Sequence, residues 1–589
     1  MILARISCLI TCASYLCTPT ASLAGDPYST LQETPHTQIL LAHEPTYQIQ
    51  PDGVLEIAAT LSEPCAGGEI YAGIFPDAAK LAYPVYRISG SFALSDSLHV
   101  AARLRLPDLE MPRLDLNDFR DHFGGRIAIR LIIFGEKARI LDRTLGYARD
   151  DKGRYRRAPA LIEGPFLDCV TDTSAVISFE FDQPASGQLQ IAPGNRSWNF
   201  SADVRHHEIH ITELLPDSAY AYAIRYYDQE LEFSMPEIQF RTAPTRGTKA
   251  PIRFAVLSDC RGALGGAESN VEGVNAAALK DLLNLAYARQ AAFIIFPGDL
   301  VSGSSSDPLE MEQQFRSFKR VAEPVGSRLP IYEGMGNHDQ TGFWIAGGTE
   351  QDYLPRPALE AGEVLFAKHF VNPENGPLPA APEIPPYRET VYSFDWGTAH
   401  FVMINSNYYQ KGGGEKAADL PGQLQGELRA EQLDWLEADL QAARERGQKH
   451  LFVFSHEPAF PNGGHAHDGM WWNGQRPEIL AIRERFWKIL CTHQVVAAFF
   501  GDEHNYSRTL IDHRVDPEFD FPVWQIVTGG GGAPYYSQDK SVPWADAVKA
   551  FYPLTHLCLL DVDGEEVRLT VLSEAGLIIE QVDLTFTRP

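Results

Sequence analysis

The first part of the chain carries short apolar runs, several with apolar and polar positions alternating at a period of two. GVLEIAATL, GGEIYAGIF, HVAARLRL and RIAIRLIIF, all within residues 25–158, predict β-strands. That period places every second side chain on one face of a sheet. The charged stretch YARDDKGRYRRAPA, residues 147–160, ends in Ala-Pro-Ala and reads as a linker. SAVISFEF, GQLQIA, HEIHI, YAYAIRYY and EIQFRT then predict a second β unit over residues 159–246.

From PIRFAVLSD onward the pattern changes. RFAVLSD precedes AALKDLLNLAYARQ, and AAFIIFPGD precedes PLEMEQQFRSFKRV. AEQLDWLEADLQAARERG sets Leu433, Leu436 and Leu440 at helical spacing, and KHLFVFSHEP follows it. PEILAIRERFWKILCTHQ leads into VVAAFFGDEH. Strands alternating with helices predict a layered α/β unit over residues 250–589. TVYSFDWGTAHFVMINS adds a hairpin, so its sheets are mixed. The expected architecture is therefore α/β (α+β layered) with mixed sheets, preceded by two all-β, sandwich-like domains.

Length and charge narrow the picture. At 589 residues the chain exceeds what one hydrophobic core supports. A formal charge of -27 argues against nucleic acid or an anionic membrane as the main partner. It leaves room for a small anionic substrate where a local metal charge outweighs the global field. Residues 1–24 hold one positive charge, Arg5, an apolar run from Ile6 to Cys17, and Ser22-Leu23-Ala24. They read as a secretory signal cleaved near Ala24, which predicts a secreted or periplasmic protein. The apolar run is too short for a transmembrane helix, and no other stretch is long and apolar enough. Beyond it, Cys65, Cys169, Cys260, Cys491 and Cys558 are too scattered for a disulfide scaffold.

Polar groups cluster where apolar strands end. Asp259 follows FAVLS, Asp299 follows FIIFPG, and Asn337, His338 and Asp339 follow IYEGMG. His456 follows LFVFS, and Asp502 and His504 follow AAFFG. Open α/β sheets place ligands beyond the carboxyl ends of their strands, so these five sets are expected to converge.

The blocks SDCRG, GDLV, GNHD, SHEP and GDEH resemble the five ordered blocks of the calcineurin-like metallophosphoesterases. That superfamily includes the purple acid phosphatases, which also carry a fibronectin type III-like N-terminal domain. LLPDSAY, residues 214–220, is similar to the corner of such a sandwich, and Tyr220 is expected to bond back to upstream backbone. The resemblance implies a metal-dependent phosphoesterase acting on small phosphate esters, with one or two divalent or trivalent ions, Fe, Mn or Zn. It implies that Asp259 and His504 bind a first metal, that Asp299 bridges, and that Asn337 and His456 bind a second. A bridging water on such a pair is acidic enough to give hydroxide for in-line attack on phosphorus. His338 would protonate the leaving oxygen or hold transition-state charge, with Asp339 orienting its ring.

Two positions depart from the family pattern. Arg261 stands where the family has a ligating histidine, and a guanidinium has no lone pair to give a metal. Asp502 stands where the family has a histidine, and it retains ligand oxygens. Either Asp502 ligates the second ion while Arg261 turns its fork to the substrate phosphate, or the two pair with each other around a single ion. The first arrangement is the expected one. Ser302 replaces the metal-binding tyrosine of purple acid phosphatases, so no iron-tyrosinate colour is expected. Cys260 points away from Asp259 on an extended segment. His465 and His467 lie in a Gly-rich loop that either shapes the pocket or is exposed, and Glu268 and Asn275 are not assigned to the site. The two altered positions favour a rival reading, a degenerate domain kept as a binding module.

Overall fold

The computed structural model describes residues 45–586 apart from 62–63, 76–83, 95–97, 112–118, 120–122, 135–137, 229–230, 263–272, 345–352, 416–417 and 419–420. The secretory signal read over residues 1–24, and Glu268, lie outside the described residues. Cys169, Cys260, Cys491 and Cys558 are free thiols. No helix among the described residues is long and apolar enough to cross a membrane.

Residues 46–157 form two antiparallel sheets. One is Thr46–Ile49, Val54–Thr60 and His99–Arg105; the other has five strands centred on Gly67–Ile74 and Gly124–Phe134. A second pair of antiparallel sheets follows. Ala175–Phe181 sits between His206–Ile211 and Leu161–Asp168, and Ser186–Ala192 pairs with Ala219–Asp228 in the facing sheet. The expected corner is present: the Leu215 N–H donates to the Tyr220 hydroxyl at 2.9 Å, and Tyr220 is buried.

The stretch at 147–160 is not a linker. Ala138–Arg149 continues into it, turns at Asp150–Gly153, and returns as Tyr155–Arg157, pairing Tyr147 with Arg157. Its charges have partners across the junction. Asp182 accepts from Arg157 Nη2 (2.7 Å), the Gly146 N–H (2.7 Å) and the Ala160 N–H (2.8 Å). Arg156 pairs with Asp228.

Two large mixed sheets dominate the remainder, beside a two-stranded ribbon of Gly342–Trp344 and Tyr353–Pro355. In the six-stranded sheet, Ile331–Glu333, Ile294–Phe296 and Ile252–Val256 are parallel, and an antiparallel meander from His556–Asp563 completes it. In the seven-stranded sheet, Ala399–Met403, His450–Phe454, Ala497–Phe500 and Val523–Thr528 are parallel. The expected hairpin of Tyr392–Trp396 and Ala399–Met403 closes one edge. Phenylalanines fill the space between the sheets: Phe254 stacks on Phe293 at 5.3 Å and Phe454 on Phe499 at 5.3 Å. Helices α1 (Ala276–Ala288), α2 (Pro308–Gly326) and α3 (Gly362–His369) cover the first sheet; α4 (Ala430–Glu445) and α5 (Pro477–Thr492) cover the second. On α4, Leu433, Leu436 and Leu440 are buried, as their spacing predicts.

Helix α2 also holds the β units. Arg316 Nη1 reaches Glu180 Oε2 (2.9 Å) and Glu163 Oε2 (3.2 Å), Lys319 Nζ reaches Glu163 Oε1 (2.5 Å), and Gln313 Oε1 accepts from the Asp142 N–H (3.2 Å). The consequence of losing a buried bond is testable at the sandwich corner. Tyr220→Phe removes one hydrogen bond, and should lower stability by about 1 kcal/mol in urea unfolding while speeding exchange of the Leu215 amide proton. An unchanged transition and unchanged exchange contradict that role.

Candidate metal centre

Parallel strands bring their carboxyl ends to one edge, and the polar blocks follow those ends. Asp259, Asp299 and Asp502 all leave their strands with left-handed backbone, at φ 63°, 53° and 63°. Aspartate is among the few non-glycine residues that adopt this region, and clusters of it mark constrained sites. Glycine lets the loops approach. A Cβ at Gly336 would stand 2.3 Å from Asp299 Oδ1, and one at Gly501 would stand 2.5 Å from Asp259 Oδ2.

The predicted residues fall into two adjoining sets sharing Asp299. Asp259, Asp299 and His504 offer ligand atoms that all lie within 4.8 Å of one another. Around His456, Nε2 lies 3.2 Å from Asn337 Oδ1, 3.2 Å from Asp299 Oδ1 and 3.8 Å from Asp502 Oδ1. The Asp502 N–H donates to both Asp259 oxygens at 3.1 and 3.2 Å, which ties the sets together. Asp259, Asp299, His456, Asp502 and His504 are all buried.

Arg261 lies against the first ligand set and not against Asp502. Its Nε lies 3.4 Å from Asp299 Oδ2, and its Nη2 donates toward His504 Nε2 at 3.5 Å. Among the described residues it makes no ion pair with Asp502. Instead Asp502 Oδ2 faces His465 Nδ1 at 3.4 Å, and that nitrogen lies 3.1 Å from Asp468 Oδ1. The loop histidines therefore divide: His465 reaches the centre, while His467 is exposed.

Asp339 does not orient His338. The His338 Nδ1 is 2.7 Å from the Ser302 carbonyl, so a backbone oxygen sets the ring. The Asp339 carboxylate is buried beneath the loop and accepts from the Gly336 N–H (2.8 Å) and the Leu300 N–H (3.1 Å). It joins the second block to the third. The His338 N–H donates to Asp299 Oδ1 at 3.0 Å. Cys260 gives its thiol to the Leu300 carbonyl, away from the centre. Asn275 caps α1 by accepting from the Ala278 N–H.

Glu503, between Asp502 and His504, has no role in the sequence reading. It is fully buried and accepts four backbone N–H groups, from Asn462 (2.8 Å), Gly463 (2.6 Å), Gly464 (2.9 Å) and His465 (3.3 Å). It fixes the Gly-rich loop against the centre. No pattern of residue types announces this, because the partners are backbone amides.

The electrostatics show a centre short of positive charge. Burial pushes Asp259 up to about 7, with the His456 charge opposing and the Asp299 charge adding. Burial pushes Asp502 well above the usual carboxylate range. Burial would also raise Asp299, but His456, His338 and Arg261 outweigh it and hold that carboxyl far below. Burial, with Arg261 adding, pushes His338 down to about 4. The His456 Nδ1 has no hydrogen-bond partner among the described residues, and the Asp502 Oδ2 has the His465 Nδ1 beside it at 3.4 Å. Buried carboxylate oxygen beside imidazole is the donor set of a transition-metal site, so the residues fit an ion.

No family model matches the chain. Purple acid phosphatase 22 of Arabidopsis thaliana is 25% identical over 285 residues, 48% of this chain and 50% of that protein. Purple acid phosphatase 23 of the same plant is 26% identical over 353 residues, 58% of this chain and 66% of that one. The human serine/threonine-protein phosphatase CPPED1 is 24% identical over 194 residues, 33% and 48% of the two chains. The chain thus spans about half the length of purple acid phosphatases 21 and 22. In fold it is similar to the purple acid phosphatase PPD1 of yellow lupin, at a TM-score of 0.55 and 14% identity over 93% of this chain and 95% of that one. It is also similar to PhoD, at a TM-score of 0.51 and 13% identity over 72% and 92%. In sequence and fold the chain resembles the purple acid phosphatases and, through them, the calcineurin-like metallophosphoesterases, with all-β domains before the layered α/β domain.

Proposed function

We propose that this protein is a secreted or periplasmic metal-dependent phosphoesterase that hydrolyses small phosphate esters. The convergence of Asp259, Asp299, Asn337, His456, Asp502 and His504 on one buried edge, with His338 beside them, carries the reading. The leader-like residues 1–24 support the location.

Asp259, Asp299 and His504 form one candidate ligand set, and Asp299, Asn337, His456 and Asp502 form the other. Imidazole with carboxylate favours Fe, Mn or Zn over Ca or Mg. A bound ion of this kind supplies Lewis acidity and lowers the pKa of its water. The chain's own groups do the rest. With Nδ1 held by the Ser302 carbonyl, the neutral His338 ring presents an Nε2 lone pair. An arriving phosphate dianion favours the protonated ring, so substrate binding itself charges His338 to donate to the leaving oxygen. Arg261, whose Nε lies 3.4 Å from Asp299 Oδ2, would bring a fixed positive charge to a bound phosphoryl group.

The position of Arg261 against Asp299 favours the second reading, a degenerate binding module. Turnover decides between them. The purified protein should hydrolyse an activated aryl phosphate with added Mn or Fe, and Asp299→Ala should not. A chelator should abolish the activity, and full activity in chelator excludes metal dependence. His338→Ala should lower kcat by roughly 10²–10⁴-fold while metal content stays intact. Unchanged kcat in that variant removes His338 from the mechanism.

A further inference from the structure

Two positive species compete for the same donors in the first ligand set. His504 Nδ1 lies 2.5 Å from the Pro534 carbonyl, which fixes the proton there and leaves the lone pair on Nε2. The Tyr536 ring, stacked on His504 at 4.3 Å, holds the imidazole in that plane. The lone pair faces Arg261 Nη2 at 3.5 Å. Asp299 Oδ2, the other oxygen an ion would need, faces Arg261 Nε at 3.4 Å. The guanidinium is charged at every accessible pH and cannot become a ligand. An ion on Asp259, Asp299 and His504 would have to take both donors from it, against its charge.

The other ligand set faces no guanidinium; its nearest basic neighbour is His465, whose Nδ1 lies 3.4 Å from Asp502 Oδ2 and whose ring, unlike a guanidinium, has a neutral form with a lone pair. Asn337 Oδ1 and Asp299 Oδ1 stand 3.2 Å from His456 Nε2, and Asp502 adds a buried carboxylate whose Oδ1 lies 3.8 Å from the same nitrogen. Relative to two neutral histidines, position 261 adds a positive charge beside the first set and position 502 adds a negative charge to the second. The two changes move cation affinity in the same direction, toward His456.

Resting on the reading of this site as a metal centre, we propose that Arg261 is a built-in substitute for one cation. The centre takes a single metal ion, held by Asp299, Asn337, His456 and Asp502. A phosphate ester would then meet one exchangeable ion and one covalently tethered charge.

The test uses the full chain, stripped with chelator, reloaded with Mn²⁺ and freed of excess by gel filtration. Elemental analysis should find one Mn per chain, with the six-line electron paramagnetic resonance spectrum of an isolated ion. Arg261→His should bind two, with an exchange-coupled spectrum. Asp502→Asn should weaken Mn²⁺ binding at least tenfold. Two ions per unchanged chain, or a coupled spectrum from it, overturns the proposal while leaving the metal-centre reading intact. So does an Arg261→His protein of unchanged circular dichroism that still binds one ion, or an Asp502→Asn protein of unchanged affinity. If Arg261→His fails to fold, the stoichiometry and spectrum of the unchanged chain decide alone. No Mn²⁺ bound at any concentration overturns both readings together.

Discussion

Three buried carboxylates held within one site are the constraint on which this end of the molecule depends. Two like charges about 4 Å apart repel by roughly 4 kcal/mol at an effective permittivity near 20. A single hydrogen bond contributes only about 1 kcal/mol net, so the N–H groups that Asp299 and Asp259 accept do not offset the repulsion. Positive charge must be supplied, and the chain supplies part of it. Burial opposes the His456 imidazolium, yet the neighbouring Asp299 charge raises its pKa to about 9. Arg261 lies against the same carboxylate. The left-handed turns at Asp259, Asp299 and Asp502 are the backbone side of the same constraint, since they aim three side chains where an unconstrained chain would not.

What the sequence disclosed, and what it hid, follows from the range of the interactions. Runs such as RIAIRLIIF and the leucines of α4 declare their elements because the pattern is local to the run. The polar blocks declare a common edge because parallel strands oblige it. The stretch at 147–160 was misleading for the opposite reason. Its charges read as solvated, but their partners Asp182 and Asp228 lie tens of residues away. The same holds at the site. His338 is oriented by the carbonyl of Ser302, and Asp339 is spent on two amide protons; backbone groups are present at every residue and leave no signature. The direction Arg261 takes depends on how His504 is protonated, which Pro534 settles from thirty residues downstream.

Helix α2 gives the all-β domains a mechanical relation to the centre. Its outer face carries Arg316 and Lys319 into Glu163 and Glu180, while its inner face buries Met311, Phe315 and Phe318 under the strands that end at Asp259 and Asp299. Removing one member of a buried charge set leaves its partners uncompensated, so these contacts fix relative orientation more than they add stability. The Tyr222 hydroxyl, donating to the Ser327 carbonyl at 2.7 Å, fastens the sandwich to the end of the same helix. The β domains therefore share the rigid frame of the site.

Glu503 lies between Asp502 and His504, and its carboxylate holds the amides of residues 462–465. One dipeptide step thus separates what faces the reacting centre from what anchors the pocket wall. Such an arrangement divides the wall into two evolutionary regimes. The anchored amides tolerate new side chains only where the backbone path is kept, since each change there is felt by both neighbours of Glu503. Beyond them the exposed side chain of His467 is released from that condition, whereas Met470 is buried in the core and stays fixed. A wall held this way can vary at one exposed side chain while the machinery beneath it stays fixed.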